Sequence, residues 1–158
     1  MSDDPAATRP NAAEPAGSPA RIRDRITWLI SRNYIRANAL LNEGFAAEGS
    51  GLRSYHYRLL AGLEEWGPRS QAELGRSTAV DRSDVVNILA ELEQRGLVKR
   101  TVDPANRRRN IVSITPAGRR QLRKLDRVID QIQAQVLEPL SSDERQQLTA
   151  LLRRLLES

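Results

Sequence analysis

Three consecutive arginines, Arg107, Arg108 and Arg109, close a stretch that begins at Lys99, includes Arg100 and holds one acid, Asp103. Five cations against one anion give a local excess of +4, while all 158 residues together carry +5. Adjacent guanidinium groups repel, so the cluster costs stability unless anions lie close by. Duplex DNA supplies them, as phosphates and as the negative potential of a narrow minor groove. Arg108 is expected to enter that groove while its neighbours meet phosphates or the body of their own hairpin; a merely solvated turn is the alternative. A second set lies upstream. Arg82 suits guanine or phosphate, Ser83 either, Asp84 a cytosine amino group, and Asn87 the bidentate edge of adenine. Ser70 and Gln71 complete the residues expected to contact DNA. A solvated helix face is the alternative for the upstream set.

Other chemistry is poorly provided for. Cysteine is absent, which excludes disulfides, thiol catalysis and cysteine-based zinc sites. With His56 as the sole histidine, no glycine-rich phosphate loop and no suggestive carboxylate pair, the chain does not read as an enzyme. Neither a cofactor nor a metal is expected. No apolar run is long enough to span a bilayer and no secretory pattern opens the chain, so no membrane partner and a cytoplasmic location are expected.

The elements that must position these residues follow from apolar spacing and from helix caps. Residues 1–20, with Pro5, Pro10, Pro15 and Pro19 and little apolar beyond alanine, read as a disordered tail. From Arg21 to about Glu48 the apolar residues recur at spacings of three, four and seven, which predicts an amphipathic helix of about 40 Å. That exceeds the needs of so small a core, so part of its stripe is expected to meet another subunit. A second helix runs from about Arg53 to Glu65 and stops at Gly67-Pro68. Two short helices come next. Ser70 and Glu73 form a capping box, Asp81 caps the second start, and Gly96-Leu97 gives a Schellman ending. Leu97–Val102 and Ile111–Ile114 read as paired strands around a polar, basic tip, residues 103–110. Thr115-Pro116 restarts helix to about Leu137, Pro139 closes it, and Ser141–Glu144 caps a last helix.

The fold class is therefore mainly α with a small β-hairpin wing: a winged helix-turn-helix with a helical dimerisation region. Residues 53–115 form the expected DNA-binding lobe, and residues 21–52 with 116–158 the dimerisation region. A winged helix can also serve RNA or a protein partner. RNA recognition relies on exposed aromatic rings, however, and only 4% of the chain is aromatic, with none on the hairpin.

From about Leu52 to Leu155 the chain resembles the MarR family of multiple antibiotic resistance regulators. The carriers are Gln71-Ala72-Glu73-Leu74-Gly75, Val80-Asp81-Arg82-Ser83, Leu92 to Arg100, Asp103 to Arg109 and Ile114 to Arg119. The resemblance implies a homodimer joined by first and last helices, two winged helices on a palindrome, and most often a repressor released by a phenolic or carboxylic ligand. It also exposes two departures. Asn106 stands where the family usually has Asp, which keeps a turn-forming acceptor but removes an ionic partner for the arginines. Asp84 and Asn87 stand where Thr and often Arg are usual, so operator preference is not transferable. Trp28, Arg53, Tyr55, His56 and Tyr57 fall near the place where relatives that bind aromatic acids keep their pocket. An arginine for the carboxylate and rings for the apolar body suit a small aromatic or phenolic acid. The competing reading makes Trp28 and Tyr57 core residues and His56 a satisfied structural histidine.

Overall fold

The structure, a computed structural model, describes residues 18–157. Its elements run α1 (Ile26–Glu48), α2 (Ser54–Trp66), β1 (Arg69–Ser70), α3 (Gln71–Thr78), α4 (Arg82–Gln94), β2 (Val98–Asp103), β3 (Asn106–Ile114), α5 (Pro116–Val136) and α6 (Ser142–Leu156). Two compact units result, one ending at Arg36 and the other beginning at Ala37. The tail expected over residues 1–20 lies outside the described residues as far as residue 17.

In the first unit α1 starts later than its apolar spacing suggests. The Pro19 carbonyl accepts from the amides of Ile22 and Arg23, and the Ile22 carbonyl from Arg25, so the continuous helical ladder opens only with the Leu29 amide on Arg25. Ile26, Leu29, Ile30, Tyr34 and Ile35 are exposed here.

The second unit has its core around α2. Leu59, Leu60 and Leu63 are fully buried against Leu74 of α3, Leu89 and Leu92 of α4, Val112 of β3 and Leu125 of α5. Burying each such side chain contributes about 1.5–3 kcal/mol, so one helix ties the helix-turn-helix to the rest of the unit. The caps are local. Ser70 and Ser141 each accept from the amide three residues on, and Thr115 does so from Gly118. Gly96, at φ 68°, ends α4 in a Schellman motif: its amide donates to Glu93, and that of Leu97 to Leu92. Asp81 holds the N-cap position of α4, but its side chain makes no capping bond.

The wing differs from its expected form. Arg107–Arg109 are not in a loop: β3 begins at Asn106, and only Pro104-Ala105 remain as the turn. A third strand, the two-residue β1, pairs antiparallel with β3, Arg69 opposite Val112 and Ser70 opposite Ile111. This anchors the wing beside the start of α3. Among the described residues no helix is long and apolar enough to cross a membrane.

Candidate nucleic-acid interface

The helical period divides α4 into two faces. Val85, Ile88, Leu89 and Leu92 are buried, whereas Ser83, Asp84, Val86, Asn87 and Gln94 are exposed. Arg82 is the first residue of the helix, and its side chain lies outside the described atoms. Ser83, Asp84 and Asn87 thus share the solvent side of the second short helix, where base edges can be read.

The wing presents its arginines through a register shift. Val102 faces Asn110 and Asp103 faces Asn106, so β3 advances four residues while β2 advances one. Arg107, Arg108 and Arg109 are the three residues by which β3 exceeds β2 at this bulge. Two side-chain bonds shape the tip: Asp103 Oδ1 accepts from the Ala105 amide at 2.9 Å, and Asn106 Oδ1 from the Arg108 amide at 3.1 Å. The triplet is then divided electrostatically. Arg109 donates to Glu73 Oε2 at 2.9 Å and lies 3.5 Å from Asp103 Oδ2. Arg107 and Arg108 are exposed and meet no carboxylate among the described residues.

Glu73 joins this wing to α3. Its Oε2 accepts from the Ser70 hydroxyl at 2.7 Å and from the Ser70 amide at 3.0 Å as well as from Arg109. The Ser70 hydroxyl, then the Ser70 amide and Arg109, hold its carboxyl down to about 2. At the wing's other end Arg100 Nε donates to Glu93 Oε2 at 2.8 Å, tying β2 to α4, and these bonds lower the Glu93 carboxyl. Between α3, α4 and β3 opens a cleft of about 460 Å³, lined by Gln71, Glu73, Arg76, Val86, Arg108 and others. Ser70 is 6% exposed and its hydroxyl is occupied by the cap, so it acts here through the helix start it organises. The Gln71 amide nitrogen has no hydrogen-bond partner among the described residues.

The residues considered for a small ligand have other engagements. His56 is 1% exposed; its Nδ1 accepts from the Arg53 amide at 3.0 Å and its Nε2 lies 2.8 Å from Glu91 Oε2. A backbone amide can only donate, so Nε2 carries the proton and the neutral ring is fully satisfied. Tyr57 donates to Asp126 Oδ1 at 3.0 Å, and burial followed by Asp126 pushes its phenol up to about 12. Tyr55 is half-buried, its ring 4.5 Å from that of His56, and Arg53 is exposed at the N-cap of α2. In the first unit Trp28 is half-buried beneath the Arg32 guanidinium, 5.8 Å from its ring. The two residues line a cleft of about 430 Å³ together with Arg23, Asn33 and Arg36.

A family profile described as MarR family matches residues 50–109. The HTH-type transcriptional repressor NicR of Pseudomonas putida is 31% identical over 151 residues, 96% of this chain and 94% of that protein. The chain belongs to the MarR family. Among solved structures, a probable transcriptional regulator from Pseudomonas aeruginosa is 38% identical, with a TM-score of 0.75 over 84% of this chain and 97% of its own. Bordetella bronchiseptica BpsR, whose DNA binding is regulated by 6-hydroxynicotinic acid, is 26% identical, with a TM-score of 0.79 over 89% and 99%. This MarR-family chain is a winged-helix transcriptional regulator. Its Asn106 keeps the turn bond, and Asp103 supplies the carboxylate for a wing arginine. Sequence reasoning overlooked Arg76, a cation of the last turn of α3 that faces the cleft five residues after Gln71. It also overlooked Arg58, which donates to the carbonyls of Thr78 and Ala79. That contact steadies a turn in which Ala79 adopts the left-handed region at φ 51°. A basic residue on α2 spaced to reach the α3–α4 turn is a signal only once the packing is known.

Proposed function

We propose that this MarR-family regulator is a homodimeric repressor that binds an inverted repeat in duplex DNA and releases it when a small aromatic acid binds. The observation that carries the reading is the wing: Arg107 and Arg108 have no carboxylate partner among the described residues, and Arg108 shares a cleft with Val85 and Val86 of α4, the helix whose exposed residues include Ser83, Asp84 and Asn87. Residues 53–115 form the DNA-binding lobe, with Arg82, Ser83, Asp84 and Asn87 in the major groove and Arg108 in the adjoining minor groove. Arg107 and the first turn of α3, begun by Ser70 and Gln71, meet the backbone.

Residues 21–52 and 116–158 serve dimerisation. Leu151, Leu152, Leu155 and Leu156 of α6 are 45–88% exposed, and α1 exposes Ile26, Leu29, Ile30 and Ile35 within the first unit. Apolar faces of this kind on single helices are what a second copy covers. A twofold pair would then set its recognition helices about 34 Å apart, one turn of DNA. Relatedness to BpsR supports an aromatic acid as effector. Of the ligand set, Trp28, Arg53, Tyr55 and Tyr57 keep exposed surface to offer it, whereas His56 is buried.

Selection of duplexes from a random library by the full chain, followed by titrations across a salt series, tests this reading. A palindromic consensus is expected. Arg108→Ala should weaken binding to every duplex and flatten the salt dependence by about 0.9 in log–log slope for each phosphate that is no longer neutralised. Asn87→Ala should chiefly relax preference at one base pair per half-site. Saturating 6-hydroxynicotinic acid should lower operator affinity by about 5–150-fold, the usual range of such coupling. An unenriched library, or an Arg108→Ala chain with an unchanged slope, would refute the docking; unchanged affinity in the acid would refute the effector.

A further inference from the structure

The outer face of α4 contains one residue that neither hydrogen bonding nor charge accounts for. Val86 is 51% exposed between Asp84 and Asn87, one turn beyond Ser83. A β-branched side chain is a mediocre helix former, and here the helix gains little burial from it. Most other exposed large apolar side chains gather on α1 and α6, the faces a second copy would cover, with Trp66 on α2 and Val102 on the wing as the exceptions. Val86 sits elsewhere. Its side chain forms a wall of the cleft shared with Ala72, Arg76 and Arg108, on the N-terminal half of the helix, where base edges are met. The major groove offers a single apolar group to such a side chain, the C5-methyl of thymine; the minor groove offers none.

We propose that Val86 determines specificity by packing its methyl groups on a thymine methyl in each half-site, beside the base read by Asn87. This rests on the DNA-binding reading above. Ser83, Asp84 and Asn87 supply only polar contacts, so the exposed Val86 is the side chain among them suited to the thymine methyl.

Replacement of thymine by uracil deletes that methyl and nothing else. The full chain is titrated against its selected operator and against versions carrying deoxyuridine at one thymine position of both half-sites in turn. One position should weaken binding by about fourfold per half-site, the worth of burying one methyl group, and hence by about 15-fold for the symmetric pair. Val86→Ala should bind the thymine and uracil operators alike, while Val86→Thr, which keeps one methyl and the branch, should retain part of the difference. Val102→Ala serves as a control, because that exposed valine lies on the wing and should leave the uracil response intact. A uracil scan that is silent throughout, or a Val86→Ala chain with undiminished response, overturns the assignment even when the operator is selected and Arg108→Ala behaves as stated. A library with no enriched duplex overturns the DNA-binding reading itself, and Val86 with it.

Discussion

Acid should destabilise the unit that begins at Ala37 through one residue, His56. Its neutral ring accepts the Arg53 amide and donates to Glu91, joining the first turn of α2 to the recognition helix. Burial is the main influence on its titration and disfavours the imidazolium. Glu91 opposes this, Arg95 and Arg53 reinforce it, and the net result lies below the ordinary 6.5. Between 6.5 and that lowered value the unfolded chain holds a proton that the folded chain does not. Stability is therefore complete above the unfolded value, falls with pH through the window by at most about 1.4 kcal/mol per unit, and levels off below the folded value. Glu48, Glu73, Glu93 and Glu144 all titrate below their ordinary 4.5, so they add nothing to the slope above about pH 5.5. His56→Ala should cost about 2–4 kcal/mol, mostly from the cavity and the stranded Arg53 amide. Glu91 adds little because its side chain is 53% exposed and recovers water. Urea denaturation from pH 5.5 to 8.0, at fixed protein concentration, provides the measurement. A flat profile in the natural chain, or an equally steep one in His56→Ala, would refute the reasoning.

Gly118 and Gly75 should respond very differently to alanine. A Cβ at Gly118 would overlap the Leu97 carbonyl, whose backbone anchors the wing, whereas at Gly75 it would meet the Val85 side chain at 3.0 Å. Losses of more than about 3 kcal/mol and of about 1 kcal/mol are expected on thermal unfolding, and equal losses would contradict the packing. Arg109→Ala should weaken DNA binding but change the salt slope less than Arg108→Ala, since Glu73 and Asp103 already neutralise Arg109; identical slopes would remove that distinction. Leu155→Glu, on the exposed face of α6, should shift sedimentation equilibrium towards monomer, and an unaltered association constant would exclude this face from the dimer.

What the sequence made legible was local. Ser70 with Glu73, Ser141 with Glu144, Thr115 ahead of Pro116, and Gly96 all act within a few residues of where they stand, and each forms the cap its spacing implies. Asp81 occupies its cap position without the bond, since residue type restricts position more than rotamer. The two residues of β1 are too few for a strand pattern and are ordered by Ile111 and Val112, some forty positions downstream. The hydrogen-bond partners of His56 and Tyr57 across the fold, Glu91 and Asp126, lie 35 and 69 residues away. Spacing along a helix identifies which side chains share a face; it does not say which of them meet across the core.

The same distinction explains the division of the arginine triplet. As sequence, Arg107, Arg108 and Arg109 are equivalent charges; the three-residue register excess between Val102–Asn110 and Asp103–Asn106 makes them unequal. Arg109, nearest the resumed ladder, reaches Glu73 and Asp103 and becomes a strut between wing and α3. At the other end, Asn106 accepts the Arg108 amide without contributing charge. An aspartate in that position would make the same turn and place a carboxylate beside the two remaining arginines. Asp103 already supplies the anion that stiffens the wing, so a neutral residue at 106 leaves the positive potential of Arg107 and Arg108 intact. A rigid base and an uncompensated tip are thus separate requirements, met by different residues of one hairpin.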